Sequence, residues 1–146
     1  MSRSGYSDCL DMGTLNLYRA NVDRSIKGKK GQAFLKELLA SLEAMPEKKL
    51  IRGDLMRAAA GDTQVCAIGS VCLARGLDTS KIDVYDPKQV ADAVGIAQCL
   101  AAEIEFLNDE GVDYWRNDET DEARWIRMHT WVKSQILPTD KEVINV

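Results

Sequence analysis

A chain of 146 residues is near the commonest size for one domain, and with 45% hydrophobic residues it can bury enough apolar surface to fold without disulfides or a metal. Wholesale disorder is excluded by that composition, and no run approaches the roughly 18 apolar residues needed to cross a bilayer. Net charge is −4, but residues 1–57 carry +4 and residues 58–146 carry −8, an asymmetry that bears on partners rather than on fold.

Residues 1–11 are polar and lack an apolar core, so no secretory leader is expected, and the chain is read as one cytoplasmic domain, 1–146. Leu15, Tyr18, Val22 and Ile26 share one helical face and predict a first helix over about 11–27. Lys27-Gly28-Lys29-Lys30-Gly31 reads as a turn. Phe34, Leu35, Leu38, Leu39, Leu42 and Met45 then form a wide apolar stripe on a helix over 32–45, stopped by Pro46. A short helix over 46–60 is expected next, weakened by Gly53. Asp62 is placed as the N-cap of a buried central helix containing Val65, Cys66, Ile68, Val71, Cys72 and Leu73. Gly76 closes it, and Gly69 is read as permitting a close helix–helix contact.

Asp86-Pro87-Lys88-Gln89 is the clearest local signal, joining an N-cap Asp, a Pro at the first helical position and a Gln three residues after the cap. The helical segment from 87 to about 108 is divided at Gly95. A last helix starts near Glu119, carries Trp125, Met128, Val132 and Ile136 on one face, and ends before Pro138; 139–146 reads as a loose tail. The expected fold is an all-α compact bundle of five or six helices with a helix-turn-helix-like pair near 87–107.

Four constellations bear on function. Residues 90–104 have the spacing of a helix-turn-helix, whose second helix enters the major groove in DNA-binding proteins. That second helix here holds Glu103 and Glu105, no Lys or Arg, and only Gln98 as a base-reading side chain, so a structural helix pair is the competing reading. Arg24, Lys27, Lys29 and Lys30 gather around Gly28 and Gly31 at a helix start, a place that favours anions; a solvated basic turn is the plainer alternative.

An acidic stretch follows, with Asp109, Glu110, Asp113, Asp118 and Glu119 around the aromatic pair Tyr114 and Trp115. It serves either as an interaction surface with an aromatic anchor or as a capped helix start with a core plug. No EF-hand spacing occurs in it, and a single histidine, His129, rules out a His-based metal cluster. No nucleophile, dinucleotide or zincin pattern is present, most carboxylates are expected at the surface, and Cys9, Cys66, Cys72 and Cys99 read as free thiols. No enzymatic activity, metal or cofactor is therefore expected.

Several strings carry a family resemblance: residues 1–7, Gly28 to Leu35, Ala44 to Ile51, Val65 to Gly69, Ala74 to Gly76, Asn108 to Glu110, and Arg124 to Met128. Together they span nearly the whole chain, which resembles a group of small uncharacterised proteins encoded by phages and prophages of proteobacteria. The resemblance implies a context and no site residues. In that context the expected function is an interaction protein that binds and modulates or inhibits a host macromolecular complex, with an anti-defence role among the options and the acidic surface mimicking nucleic acid. The alternative is a nucleic-acid-binding accessory protein using the helix-turn-helix-like pair and the basic turn at 24–30. The expected partner is thus a host protein or a protein–nucleic acid complex, with no membrane.

Overall fold

A computed structural model of the chain describes residues 3–4, 12–110 and 118–138. Among the described residues, six helices and one hairpin follow in order: α1 (Met12–Lys27), α2 (Lys29–Ala44), β1 (Met56–Ala59), β2 (Asp62–Val65), α3 (Ala67–Arg75), α4 (Pro87–Val94), α5 (Gln98–Glu110) and α6 (Asp121–Gln135). The fold is mostly helical but not all-α, because a two-stranded antiparallel sheet interrupts it.

The apolar stripe of α2 does what its spacing predicts. Phe34, Leu35, Leu38 and Leu42 are all buried, facing α1, α3 and α6. Val22 and Ile26 of α1 are buried with them; Leu15, the first residue of that stripe, has a side chain outside the described residues. The central helix is α3, in which every residue from Ala67 to Cys72 is buried and Gly76, at φ 71°, forms the left-handed C-cap. Leu73, expected in the core, is 47% exposed.

Two expectations around the hairpin are corrected. Residues 46–60 do not form a helix: Gly53 (φ 83°), Ala60 (φ 48°) and Gly61 (φ 81°) are left-handed, which an α-helix does not accommodate. Ala60 and Gly61 instead make the two-residue turn that joins β1 to β2, with Met56 opposite Val65 and Ala59 opposite Asp62. Asp62 consequently starts a strand, and the N-cap of α3 is Cys66, whose Sγ accepts from the Gly69 N–H at 3.4 Å. Gly69 does serve a close approach, but to the hairpin and not to a helix: a Cβ there would lie 1.9 Å from the Leu55 carbonyl oxygen.

The turn after α1 is also tighter than expected. The second helix begins at Lys29 and includes Gly31, where a Cβ would lie 1.8 Å from the Ser25 carbonyl oxygen. At α4 the reading holds: Asp86 accepts from the Lys88 N–H at 3.0 Å, Pro87 opens the helix, and Gly95 (φ 80°) ends it. Thr120 caps α6, with Asp121 and Glu122 in its first turn and Met128 and Val132 buried. Among the described residues no helix is long and apolar enough to cross a membrane.

Candidate functional site

Three cations of the basic turn, Arg24, Lys29 and Lys30, line grooves that they share with the start of α5. Arg24 and Lys27 end α1, Lys29 and Lys30 open α2, and all four are exposed. Gly28 at the α2 N-cap offers no side-chain acceptor, and no carboxylate stands in the first turn. Two grooves that share Ser25 lie beneath them. One, of about 330 Å³, is lined by Gly28, Lys29, Lys30, Ala97 and Leu100. The other, of about 540 Å³, is lined by Tyr18, Asn21, Arg24, Gln98 and Cys99. Lys27 spends its charge on Asp23 at 3.0 Å and Arg24 bonds Asn21 at 2.7 Å, whereas Lys29 and Lys30 have no ion pair among the described residues.

The helix-turn-helix-like pair exists as α4 and α5, but α5 is a core element. Leu100 to Glu105 and Asn108 are buried, and the helix packs on α1, α3, α4 and α6. Only Gln98 at its start, with Ala97 just before it, is exposed beside the basic turn. A helix enclosed along its length has no free face to lay in a major groove.

Among the described residues the acidic stretch does not gather into one surface. Asp113, Tyr114 and Trp115 lie outside the described residues. Asp109 turns inward and takes Arg3 through paired 2.7 Å bonds from Nε and a terminal nitrogen. Glu119 takes Arg127 in the same two-pronged way at 2.8 Å, and Arg124 lies 3.4 Å from it. Glu110 is half-buried and partnered, and Asp118 is exposed.

The expectation that the carboxylates lie at the surface fails on α5, where Glu103 and Glu105 are buried. Glu105 belongs to a polar cluster that sequence reading missed. Arg3, 2% exposed, points into the protein between Glu105, Asp109 and Cys66. Asn108 ties the cluster to the backbone: its Oδ1 accepts from the Ala67 N–H at 3.1 Å and its Nδ2 donates to the Ile51 carbonyl at 2.9 Å. Asp109 also accepts from the Gly53 N–H at 3.0 Å. The start of α3, the hairpin's entry loop and α5 are thereby fixed to one another.

Burial would raise the Asp109 carboxyl, but the Arg3 guanidinium outweighs it and holds the group below the usual carboxylate range. Glu105 goes the other way. Its oxygens have no hydrogen-bond partner, Arg3 Nε is 3.5 Å away, and burial pushes its carboxyl up to about 8, assisted by Asp109 and opposed by Arg3. Cys66 is raised by complete burial despite Arg3 and the Gly69 N–H, and Cys72 is pushed up to about 11 by burial, so both are thiols at neutral pH.

His129 stacks on Trp125, centroids 4.6 Å apart, and its Nε2 lies 3.0 Å from Glu43 Oε1, with no bond to a cysteine among the described residues. No group of three metal-ligating side chains is disposed to hold an ion among the described residues. Comparison with known protein families, with curated proteins and with solved structures finds no match to this chain.

Proposed function

We propose that this is a non-enzymatic binding protein that holds a phosphate-bearing macromolecule, nucleic acid or a nucleoprotein complex, against the corner where α1 meets α2. The observation that carries the reading is the placement of Lys29 and Lys30. They occupy the first two positions of α2, at a helix start with no side-chain cap and no carboxylate in its first turn, and neither has an ion pair among the described residues. Cations there oppose the helix macrodipole, at about 0.3–1 kcal/mol each, so helix stability does not account for them. Free N–H groups and cations in one place suit an anion, and the open tip of α5 beside them adds a second helix start. The resemblance to phage-encoded proteins makes a host nucleic acid or nucleoprotein complex the natural partner.

The mode is phosphate contact without base reading, since α5 is enclosed. The rival surface, an acidic mimic of nucleic acid, has its Asp109 and Glu119 carboxylates committed to internal ion pairs. The test is fluorescence anisotropy with labelled duplex DNA, single-stranded DNA and RNA across about 50–200 mM salt. Binding is expected to fall with salt, and changing Lys27, Lys29 and Lys30 to Ala should flatten the log–log slope by about 2–3. Absence of binding to all probes at low salt overturns the proposal. Capture of a nuclease-resistant protein complex from host lysate would then move the function to protein recognition.

A further inference from the structure

We propose that the opposite pole of the molecule is a second binding site, which takes an extended, lysine- or arginine-bearing peptide against the free edge of β2. The site is a groove of about 310 Å³ between the chain leaving α2 and the hairpin. Its apolar part is Met45, Pro46, Ile51, Val65 and Leu73, and its polar rim carries Glu47, Asp62 and Asp121.

The backbone geometry supports strand addition. Cys66 N–H donates to the Leu55 carbonyl, so residues 62, 64 and 66 face β1 and residues 63 and 65 face away from it. Ile51 N–H takes the outward Val65 carbonyl at 2.9 Å, but Leu50 then turns off to bond the Asp121 carbonyl at 3.0 Å. The two segments diverge there, and the outward carbonyl of Thr63 is left without a partner among the described residues. The Thr63 N–H is already taken by Asp62 Oδ1 at 2.9 Å, so this edge asks for a donor rather than an acceptor. A peptide N–H supplies one, and alternate side chains would fall on Leu73, which is 47% exposed at the end of α3.

Charge selects the occupant. Glu47, Asp62 and Glu122 all act on the one rim lysine, Lys49, whose ammonium is held above its ordinary value chiefly by its bond to Glu47. Glu47 is paired with Lys49 at 3.3 Å and Asp121 with Arg124 at 2.9 Å, so Asp62 is the lining carboxylate with no ion pair among the described residues, and it favours a basic peptide over an acidic one. The sequence places this pole at the C-terminal end of α2, about 24 Å from the basic turn at its N-terminal end, so the two sites do not compete.

The test is an amide chemical-shift titration of the full chain with acetyl-Lys-Val-Lys-Val-Lys-amide. Saturable shifts are expected at Gly61 to Val65 and at Leu73. Methylating the central amide nitrogen of the probe should weaken binding about fivefold, and the Glu47→Gln, Asp62→Asn double variant about threefold. No saturable shift, or an equal response to the Glu-Val-Glu-Val-Glu counterpart or to the methylated probe, overturns the proposal. Shifts of the same amides on simple concentration of the protein would overturn it in favour of a second copy as occupant. Because the responding amides are remote from Arg24 to Gly31, failure here is distinguishable from failure of the phosphate site.

Discussion

Replacing Glu105 by Gln should abolish the pH dependence of stability that this one carboxyl imposes. In the folded chain burial raises Glu105 from 4.5 to about 8, while the unfolded chain keeps the ordinary value. The folded state therefore binds the proton more tightly. Its stabilising contribution is complete below about pH 4.5 and is lost as pH rises towards 8, at up to about 1.4 kcal/mol per pH unit. The total is a few kcal/mol, a large share of the ~5–15 kcal/mol that holds a domain together. Other shifted groups leave that window clear. Asp109 is lowered from 3.8, so its contribution disappears only in acid, and Cys66 is raised from 9.0, so it acts only in base.

The assay is urea unfolding followed by tryptophan fluorescence at intervals from pH 5 to 8.5, for the wild type and for Glu105→Gln. The wild-type midpoint should fall steadily with pH, and that of the neutral variant should stay nearly level. The variant should match or trail the wild type at pH 5 and exceed it at pH 8.5. Parallel curves would refute the reasoning, because they would mean that Glu105 is ionised beside Arg3 throughout.

Changing Gly69 to Ala improves helix propensity by about 1 kcal/mol yet should destabilise the protein by about 2–3 kcal/mol, since the added carbon meets the Leu55 backbone and not a movable side-chain tip. A thermal melt that rises instead of falling would show that the hairpin can give way. Ala60→Gly should act in the opposite direction, stabilising by about 1 kcal/mol, because Ala60 sits at φ 48° where an L side chain is crowded; chemical denaturation decides the sign.

Helices built on long, regular apolar stripes were legible in the sequence, because a 3.6-residue period leaves little choice of partner face. The α2 stripe and the Asp86-Pro87 start are examples. The hairpin was not. Its turn is Ala60-Gly61 where Asn-Gly or Asp-Gly would have announced a left-handed pair, and its strands are too short and polar to show alternation. Glu103 and Glu105 looked like surface acids because composition says nothing about which face of α5 meets the core. The missing signal for Glu105 lay in the i, i+4 spacing of Glu105 and Asp109, but their cation, Arg3, is more than a hundred residues away in sequence. Of the sites, the basic turn was visible as a run of lysines, whereas its meeting with the tip of α5 is tertiary.

Gln32 has a consequence for how the chain is made. Its side chain donates to the Ile26 carbonyl at 2.8 Å and the Gln135 carbonyl at 3.0 Å, and accepts from the Leu137 N–H at 2.8 Å. The α1–α2 corner is thus completed by residues about a hundred positions later, and Met128 and Val132 close the same core. During synthesis at roughly 5–20 residues per second, α1 and α2 must wait several seconds for α6 to emerge. Through that interval the Phe34–Leu42 stripe lacks its α6 cover on the nascent chain, so the α1–α2 corner acquires its final shape only when translation has passed residue 137.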